Sequence, residues 1–114
     1  MNHESELTQL TKRAIEIATK AWDEAHRGLP TNLMTRAAAI PATGILAAAV
    51  MNQLDEDDQA IIQRTEEAIR VARRAWELTS SEPPGNPIAQ VAGKSVIGII
   101  AAGILNYQQG DPRP

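Results

Sequence analysis

Hydrophobic positions follow a helical period in two charged stretches of the chain. In residues 5–27 and again in the stretch that opens with the acidic cluster 55–58, apolar residues recur every three or four positions and charged residues fill the opposite arc. This pattern predicts two amphipathic surface helices. Ser5 is a suitable N-cap for the first, and Gly28 followed by Pro30 ends it near Arg27.

Two other stretches have almost no polar face. Residues 32–52 carry a single charge, Arg36, and contain Pro41, which we expect to kink the helix. Residues 86–108 begin with Asn-Pro, a start signal for a helix, and their polar side chains, including Lys94, occupy only a narrow strip. Because an apolar helix needs other helices on most sides, both are predicted to lie against several partners.

The same pattern is present twice. Residues 9–53 and 63–107 match without a gap at a constant offset of 54. The identical pairs are Gln9/Gln63, Thr11/Thr65, Ala14/Ala68, Ile15/Ile69, Ala18/Ala72, Ala21/Ala75, Trp22/Trp76, Pro30/Pro84, Asn32/Asn86, Ala38/Ala92, Gly44/Gly98, Ile45/Ile99, Ala47/Ala101, Ala48/Ala102 and Asn52/Asn106. Two repeats are too few for a solenoid, which needs about three.

We therefore predict an all-α fold in which a tandemly duplicated helical hairpin forms a pseudo-twofold four-helix bundle. The repeats span about 5–53 and 55–108 of a single domain, 1–110, and residues 111–114 form a flexible tail.

Small residues at matched positions predict where helices cross. Gly44 and Ala48 in the second helix correspond to Gly98 and Ala102 in the fourth, so two backbones could approach closely there, within one chain or between chains. We expect a homo-oligomer, a dimer or a higher closed assembly, that covers the two apolar helices. The spacing also occurs in membrane helices, but the charges and Pro41 disfavour a membrane span.

Charge and composition narrow the classes of partner. The chain has a net charge of −3 and no Cys, and its first six residues are polar and acidic, unlike a signal peptide, so we expect a cytoplasmic protein without disulfides. A basic group on the third helix is interleaved with acids, which argues against nucleic-acid binding. That group is Arg70, Arg73 and Arg74, and Glu66, Glu67 and Glu77 lie on the same helix face.

Residues for catalysis or metal binding are few. The two His residues, His3 and His26, have no ligand-forming neighbour at a metal-site spacing, and the acidic cluster 55–58 lacks the Gly and final Glu of a calcium loop. There is also no Gly-rich phosphate loop and no serine elbow. We expect no enzyme activity, no metal and no cofactor.

Two functions stay open. The first is a non-catalytic, oligomeric binding protein, an adaptor, inhibitor or regulator that contacts a protein partner. The second is a sensor or sequestering protein for a small anionic or nucleotide-like ligand, held at a repeat or subunit interface. Its predicted site is Trp22, Arg36, Arg64, Trp76 and Lys94. The competing interpretation places both Trp residues in the core and the charges of the apolar helices along a solvent-facing edge.

Overall fold

A computed structural model of the chain describes residues 3–28, 33–79 and 87–110, and it gives side-chain environments for 3–28, 36–79 and 93–108. Over these residues the chain is all-helical, which confirms the predicted fold class. The elements are α1 (His3–Ala25), α2 (Leu33–Val50), a short 3-10 turn (Met51–Gln53), α3 (Asp58–Thr79) and α4 (Pro87–Gly110). No described helix combines the length and apolar composition needed to cross a membrane.

The helix ends follow local capping chemistry. Gly28 has φ of 84°, the left-handed conformation predicted for it. α1 itself stops at Ala25, because the next amide, His26, bonds to both Trp22 (3.1 Å) and Asp23 (3.2 Å) as the last turn tightens. The predicted caps Asn32 and Asn86, the linker 80–85 and the tail 111–114 lie outside the described residues.

α3 begins three residues later than the start of the acidic cluster. The side chain of Asp57 accepts a hydrogen bond from the amide of Ala60 (3.3 Å), which makes Asp57 the N-cap. α4 begins at Pro87, as the sequence predicts for a proline in the first turn.

The helices form two hairpins, α1–α2 and α3–α4, that pack side by side in a bundle. α1 packs against α2 and α3, and α4 also packs against α2 and α3; the α2–α4 interface is the most extensive. α1 and α3 run parallel, since Arg13 bonds to Asp58 at the start of α3 and Arg73 bonds to Ala25 at the end of α1. Arg13 also bonds to Leu54, just after the end of α2, so α2 runs antiparallel to α1. α4 runs parallel to α2, and so antiparallel to α3, because Gly98 lies against Ala42 and Leu105 lies near Gln53.

The core is built largely from small side chains. Alanines from α1, α2, α3 and α4 are buried, and the largest fully buried aliphatic side chains are Leu46, Ile61, Ile69 and Leu105. Small residues let the helices approach closely, so this core depends on backbone proximity and tight packing more than on large side chains.

Burial in the two repeats differs at matched positions. Ile15 is 48% exposed, while its equivalent Ile69 is fully buried. Trp22 is 5% exposed, while Trp76 is only partly buried at the edge of the core. An exact twofold would give equivalent residues equal environments, and these pairs depart from it. The duplication itself stays a prediction from the sequence.

Candidate functional site

Arg64 lies apart from the other predicted ligand-binding residues. It belongs to the second turn of α3, and its guanidinium donates to Gln53 Oε1 (2.6 Å) and to both carboxylate oxygens of Glu56 (2.7 Å each). The pair with Glu56 is bidentate, which is the strong geometry for an Arg-carboxylate contact. The structure therefore gives Arg64 a role in holding the α2–α3 connection, at the opposite end of the bundle from Trp22.

This contact also shifts the pKa of both groups. The Arg64 guanidinium holds the pKa of Glu56 below its usual value, and Glu56 in turn raises the pKa of Arg64. Gln53 is 1% exposed, and besides accepting from Arg64 it approaches the carbonyl of Leu105 on α4 (3.4 Å). The connection between the two helix pairs is thus anchored to α3 and α4.

Trp22 packs in the core against His26. The two rings stack with centroids 4.3 Å apart and an angle of 30° between their planes. His26 Nδ1 lies 2.9 Å from the carbonyl oxygen of Trp22, and because a carbonyl only accepts, Nδ1 carries the proton. Nε2 is then the bare nitrogen, and it is buried without a hydrogen-bond partner among the described residues.

Basic groups from two helices, α3 and α4, converge beside this His. Arg73 of α3 donates to the carbonyl of Ala25 (2.9 Å), and Lys94 of α4 lies half-buried nearby. Burial lowers the pKa of His26 to about 4; its bond to Trp22 opposes this, and the charges of Lys94 and Arg73 add to it.

The same neighbouring positive charge also affects the pKa of Lys94. Burial lowers its pKa, Arg73 lowers it further, and Glu77 is the acid that acts in the opposite direction. Trp76, next to Glu77, covers the adjoining backbone of α4: its Nε1 lies 3.0 Å from the point that a Cβ on Gly93 would occupy. The glycine lets the indole lie against α4.

The structure therefore brings together only part of the predicted ligand site. Trp22, Trp76 and Lys94 lie at one end of the bundle, whereas Arg64 lies at the other. Arg36 is in the first turns of α2, at the same end as Lys94, with an exposed side chain that has no hydrogen bond or ion pair within the described residues.

Two residues of this end were missed as binding candidates in the sequence. In the sequence, His26 stands out only as a possible metal ligand and Arg73 only as part of the basic group on α3. The sequence does distinguish Arg73 from its equivalent in the first repeat, which is Thr19. The charge is therefore specific to the second repeat, and this difference could have identified Arg73 as a candidate.

Within the chain, α2 and α4 approach each other most closely at Gly98. A Cβ added to Gly98 would lie 2.7 Å from Ala42 Cβ and 2.8 Å from Ala42 Cα, so the backbones of α2 and α4 touch there. Ala102, one turn further along, is also buried. Gly44 and Ala48 are instead exposed, and nothing lies within 4 Å of a Cβ built on Gly44. The crossing pairs Gly98 with Ala42, not with Gly44.

An uncharged stripe remains exposed along α2. It consists of Ala37, Ile40, Pro41, Gly44 and Ala48, which follow one another at helical spacing. Ile40 is 73% exposed. On α4, Ile99, Gly103 and Tyr107 make a second exposed row, with Ile99 53% and Tyr107 72% exposed. Apolar surface of this kind marks interaction sites more often than an isolated exposed Leu does.

In the part of the chain that the structure describes, no group of His and carboxylate side chains is placed to hold a metal ion. Comparison with models of protein families, with curated proteins and with solved structures finds no match to this chain. Function is therefore inferred from the residues and their arrangement.

Proposed function

We propose that the protein is a non-catalytic helical binding protein that acts as a homo-oligomer and contacts other proteins as an adaptor, inhibitor or regulator. The observation that supports this most is the exposed, uncharged stripe of α2. A surface helix normally turns a polar face to water, and α2 turns Ile40, Gly44 and Ala48 there instead.

A second copy of the chain is the partner that fits this stripe. Charged partners would gain nothing from it, because the only charged residue of α2 is Arg36, close to the helix start. The open space above Gly44 admits a close backbone approach, as the equivalent Gly98 does inside the chain. The charged outer faces of α1 and α3 stay available for a different protein.

Light scattering behind size exclusion tests this proposal over a wide range of protein concentration. We expect the wild-type chain to oligomerise and Gly44→Glu to be monomeric yet equally helical, since the substitution meets no atom of its own chain. Gln63→Glu, an exposed change on α3, is the matched control and keeps the oligomer. A wild-type chain that stays monomeric throughout contradicts the proposal.

A second candidate function is supported by the basic cluster, defined as His26, Arg73 and Lys94. Arg73 and Lys94 are cations on α3 and α4 beside the uncharged His26, Glu77 is the acid that acts on Lys94, and Lys94 has no hydrogen bond or ion pair with the described residues. A small anion would relieve the repulsion between these cations, with the edge of Trp76 beside it. Arg73 keeps donors free after bonding Ala25, because a guanidinium has five.

Pyrophosphate is a suitable probe for this cluster. We expect it to raise the melting temperature of the wild-type protein and to have little effect on Lys94→Met, because a ligand that binds only the folded state stabilises that state. Lys20→Met, an exposed Lys of α1, is the control and should respond like wild type. The absence of any shift in the wild-type protein rejects the ligand-binding function for this cluster.

A further inference from the structure

The parallel helices α1 and α3 are staggered relative to their sequence equivalence. Arg13 contacts the start of α3 and the segment before it, bonding to the carbonyls of Leu54 (2.8 Å) and Glu56 (2.9 Å) and to Asp58. At the other end Arg73 meets Ala25. At an offset of 54, residue 13 corresponds to 67 and residue 25 to 79. α3 is therefore displaced along α1 by several residues from the register that a twofold requires.

Because of this stagger, the two helices bury different faces. In α1 the buried residues include Ile17 and Ala21, whose equivalents in α3, Val71 and Ala75, are exposed. The difference is large for the bulky pair: Ile17 is 2% exposed and Val71 50%. The reverse holds for Ile15 and Ile69, described above. Each helix thus uses a face that its counterpart leaves open.

The α2–α4 interface shows the same inversion independently. Gly98 and Ala102 of α4 are buried against the chain, whereas their equivalents Gly44 and Ala48 are exposed. Conversely Ala49 of α2 is 3% exposed, while its equivalent Gly103 is exposed. Two separate helix pairs therefore indicate one relationship: the α1–α2 hairpin and the α3–α4 hairpin pack through unlike faces, as successive units of a stack do.

Each hairpin leaves exposed the face that its counterpart uses in the contact between the hairpins. A second contact of the same kind would need these two exposed faces. Surface A, on the first hairpin, corresponds residue by residue to the buried set Ile61, Thr65, Ile69, Gly98 and Ala102. It consists of Leu7, Thr11, Ile15, Gly44 and Ala48, all exposed. Surface B, on the second hairpin, corresponds to the buried set Ile17, Ala21, Ala25, Ala42 and Ala49. It consists of Val71, Ala75, Thr79, Val96 and Gly103, of which only Val96 is partly buried.

We infer that a second copy of the chain stacks head to tail on the first, with its surface A on surface B, repeating the contact that joins the two hairpins within one chain. This inference rests on the proposed self-association and specifies its geometry. In the stack, Gly44 of one copy lies over Val96 of the other, as Gly98 lies over Ala42. Such a contact joins unlike surfaces, so repeated contacts make a closed ring or a filament.

Chemistry at the two surfaces supports this pairing. Leu7, Thr11 and Ile15 line a shallow, open depression of about 450 Å³ on α1, which is also bordered by Lys12 and Glu16. Beside surface B, Leu78 is 75% exposed at the position equivalent to Glu24, which adds apolar area to the second hairpin. Repeat arrays usually end in polar caps, whereas the described residues that make up surfaces A and B are all uncharged.

The charged contacts that join the two hairpins are not repeated in the stack; Thr19, for example, is at the position equivalent to Arg73. The ion pair between Arg13 and Asp58 corresponds to Glu67 of one copy and Glu4 of the next, which have like charges. Glu67→Arg restores the pairing and should tighten assembly by up to about fivefold, the range expected for an exposed ion pair. Weaker assembly of this variant would count against the stacked geometry.

Complementation between two single variants tests the head-to-tail geometry directly. Ile15→Asp disables surface A and leaves B intact, and Val71→Asp does the opposite; each alone should be monomeric. Mixed together they should form a one-to-one heterodimer and nothing larger, because only one productive junction exists between them. Gln9→Asp and Gln63→Asp, exposed residues that match in the two repeats, are controls that assemble like wild type. Circular dichroism melts check that every variant is folded.

The outcomes separate this inference from the proposed function. A wild-type monomer at all concentrations overturns both. A wild-type oligomer whose two variants stay monomeric in the mixture overturns the head-to-tail geometry and leaves self-association standing, since a twofold contact would be lost in both variants and not restored. Oligomers that survive both substitutions also overturn it.

Discussion

Gly98 lies directly against Ala42, so close that a Cβ at Gly98 would come within 2.8 Å of the Ala42 Cα. This contact sets the separation of α2 and α4, the most extensive helix pair of the bundle. The sequence equivalent of Gly98 is Gly44, which faces open space. Identical residues at matched positions therefore have opposite roles, one inside the chain and one on its surface.

This difference predicts opposite effects of the same substitution. Gly98→Ala forces the backbones of α2 and α4 apart and should destabilise the fold by about 1–3 kcal/mol. Gly44→Ala meets no atom and replaces the most flexible residue within a helix, so it should stabilise the monomer by about 0.5–1 kcal/mol. Urea unfolding of both variants measures the two signs, and equal effects at the two glycines would contradict the asymmetric crossing.

The sequence predicts the helices better than it predicts their packing. Hydrophobic periodicity and turn residues such as Gly28 identify the helices and most of their ends, because those signals are local. The register between helices is not local. Arg73 and Ala25 are 48 residues apart, and their contact depends on the stagger of α3 along α1, which the repeat does not encode. The twofold was expected because equal sequences suggest equal environments.

The candidate site, too, is predicted only in part by the sequence. Trp22 and Lys94 were expected near each other and do lie at one end of the bundle, since the ends of the helices are placed by the topology. Arg64 was expected with them, but Gln53 and Glu56 hold it at the other end. The position of the Arg64 side chain is decided by pairing between distant segments, and hydrophobic periodicity carries no information on such pairing.

The two Trp residues should differ in their contribution to stability. Trp22→Ala removes a buried ring stacked on His26 and should cost about 3–5 kcal/mol. Trp76 is only partly buried, so Trp76→Ala should cost less by at least about 1 kcal/mol. Urea unfolding followed by circular dichroism compares them. Equal losses would indicate the equivalent environments of a true twofold.

Arg64 should stabilise the α2–α3 connection through Gln53. Arg64→Met leaves the buried Gln53 Oε1 without its donor, and we expect a loss of about 1–3 kcal/mol. Arg70→Met is the matched control: Arg70 forms an exposed ion pair with Glu66 one turn away, so its loss should cost only about 0.3–0.5 kcal/mol.

The double variant separates the buried polar group from the charge. Replacing Gln53 by Met together with Arg64→Met removes both partners, and the loss should be smaller than with Arg64→Met alone, because no unsatisfied oxygen remains. If the double variant is instead as unstable as the sum of two independent changes, Arg64 acts through Glu56 and not through Gln53.

His26 should make stability depend on pH. Its pKa is lowered to about 4 in the folded chain by burial and by Lys94 and Arg73, while an unfolded His titrates near 6.5. Between these values the unfolded chain binds the extra proton. The stabilisation is therefore complete above about pH 6.5 and is lost progressively as the pH falls to about 4, with a total of up to about 3 kcal/mol.

Unfolding free energies measured at several pH values between 4 and 7 test this for His26→Phe against wild type. The variant keeps an aromatic ring against Trp22 but cannot be protonated, so its stability should fall less than that of wild type over this range, although the carboxylates titrate in both proteins. His3→Gln, an exposed change in the first turn of α1, should show the wild-type slope. Parallel curves for wild type and His26→Phe would mean that the folded state accommodates a charged His26, with Nε2 reaching solvent and the basic neighbours moving away from it.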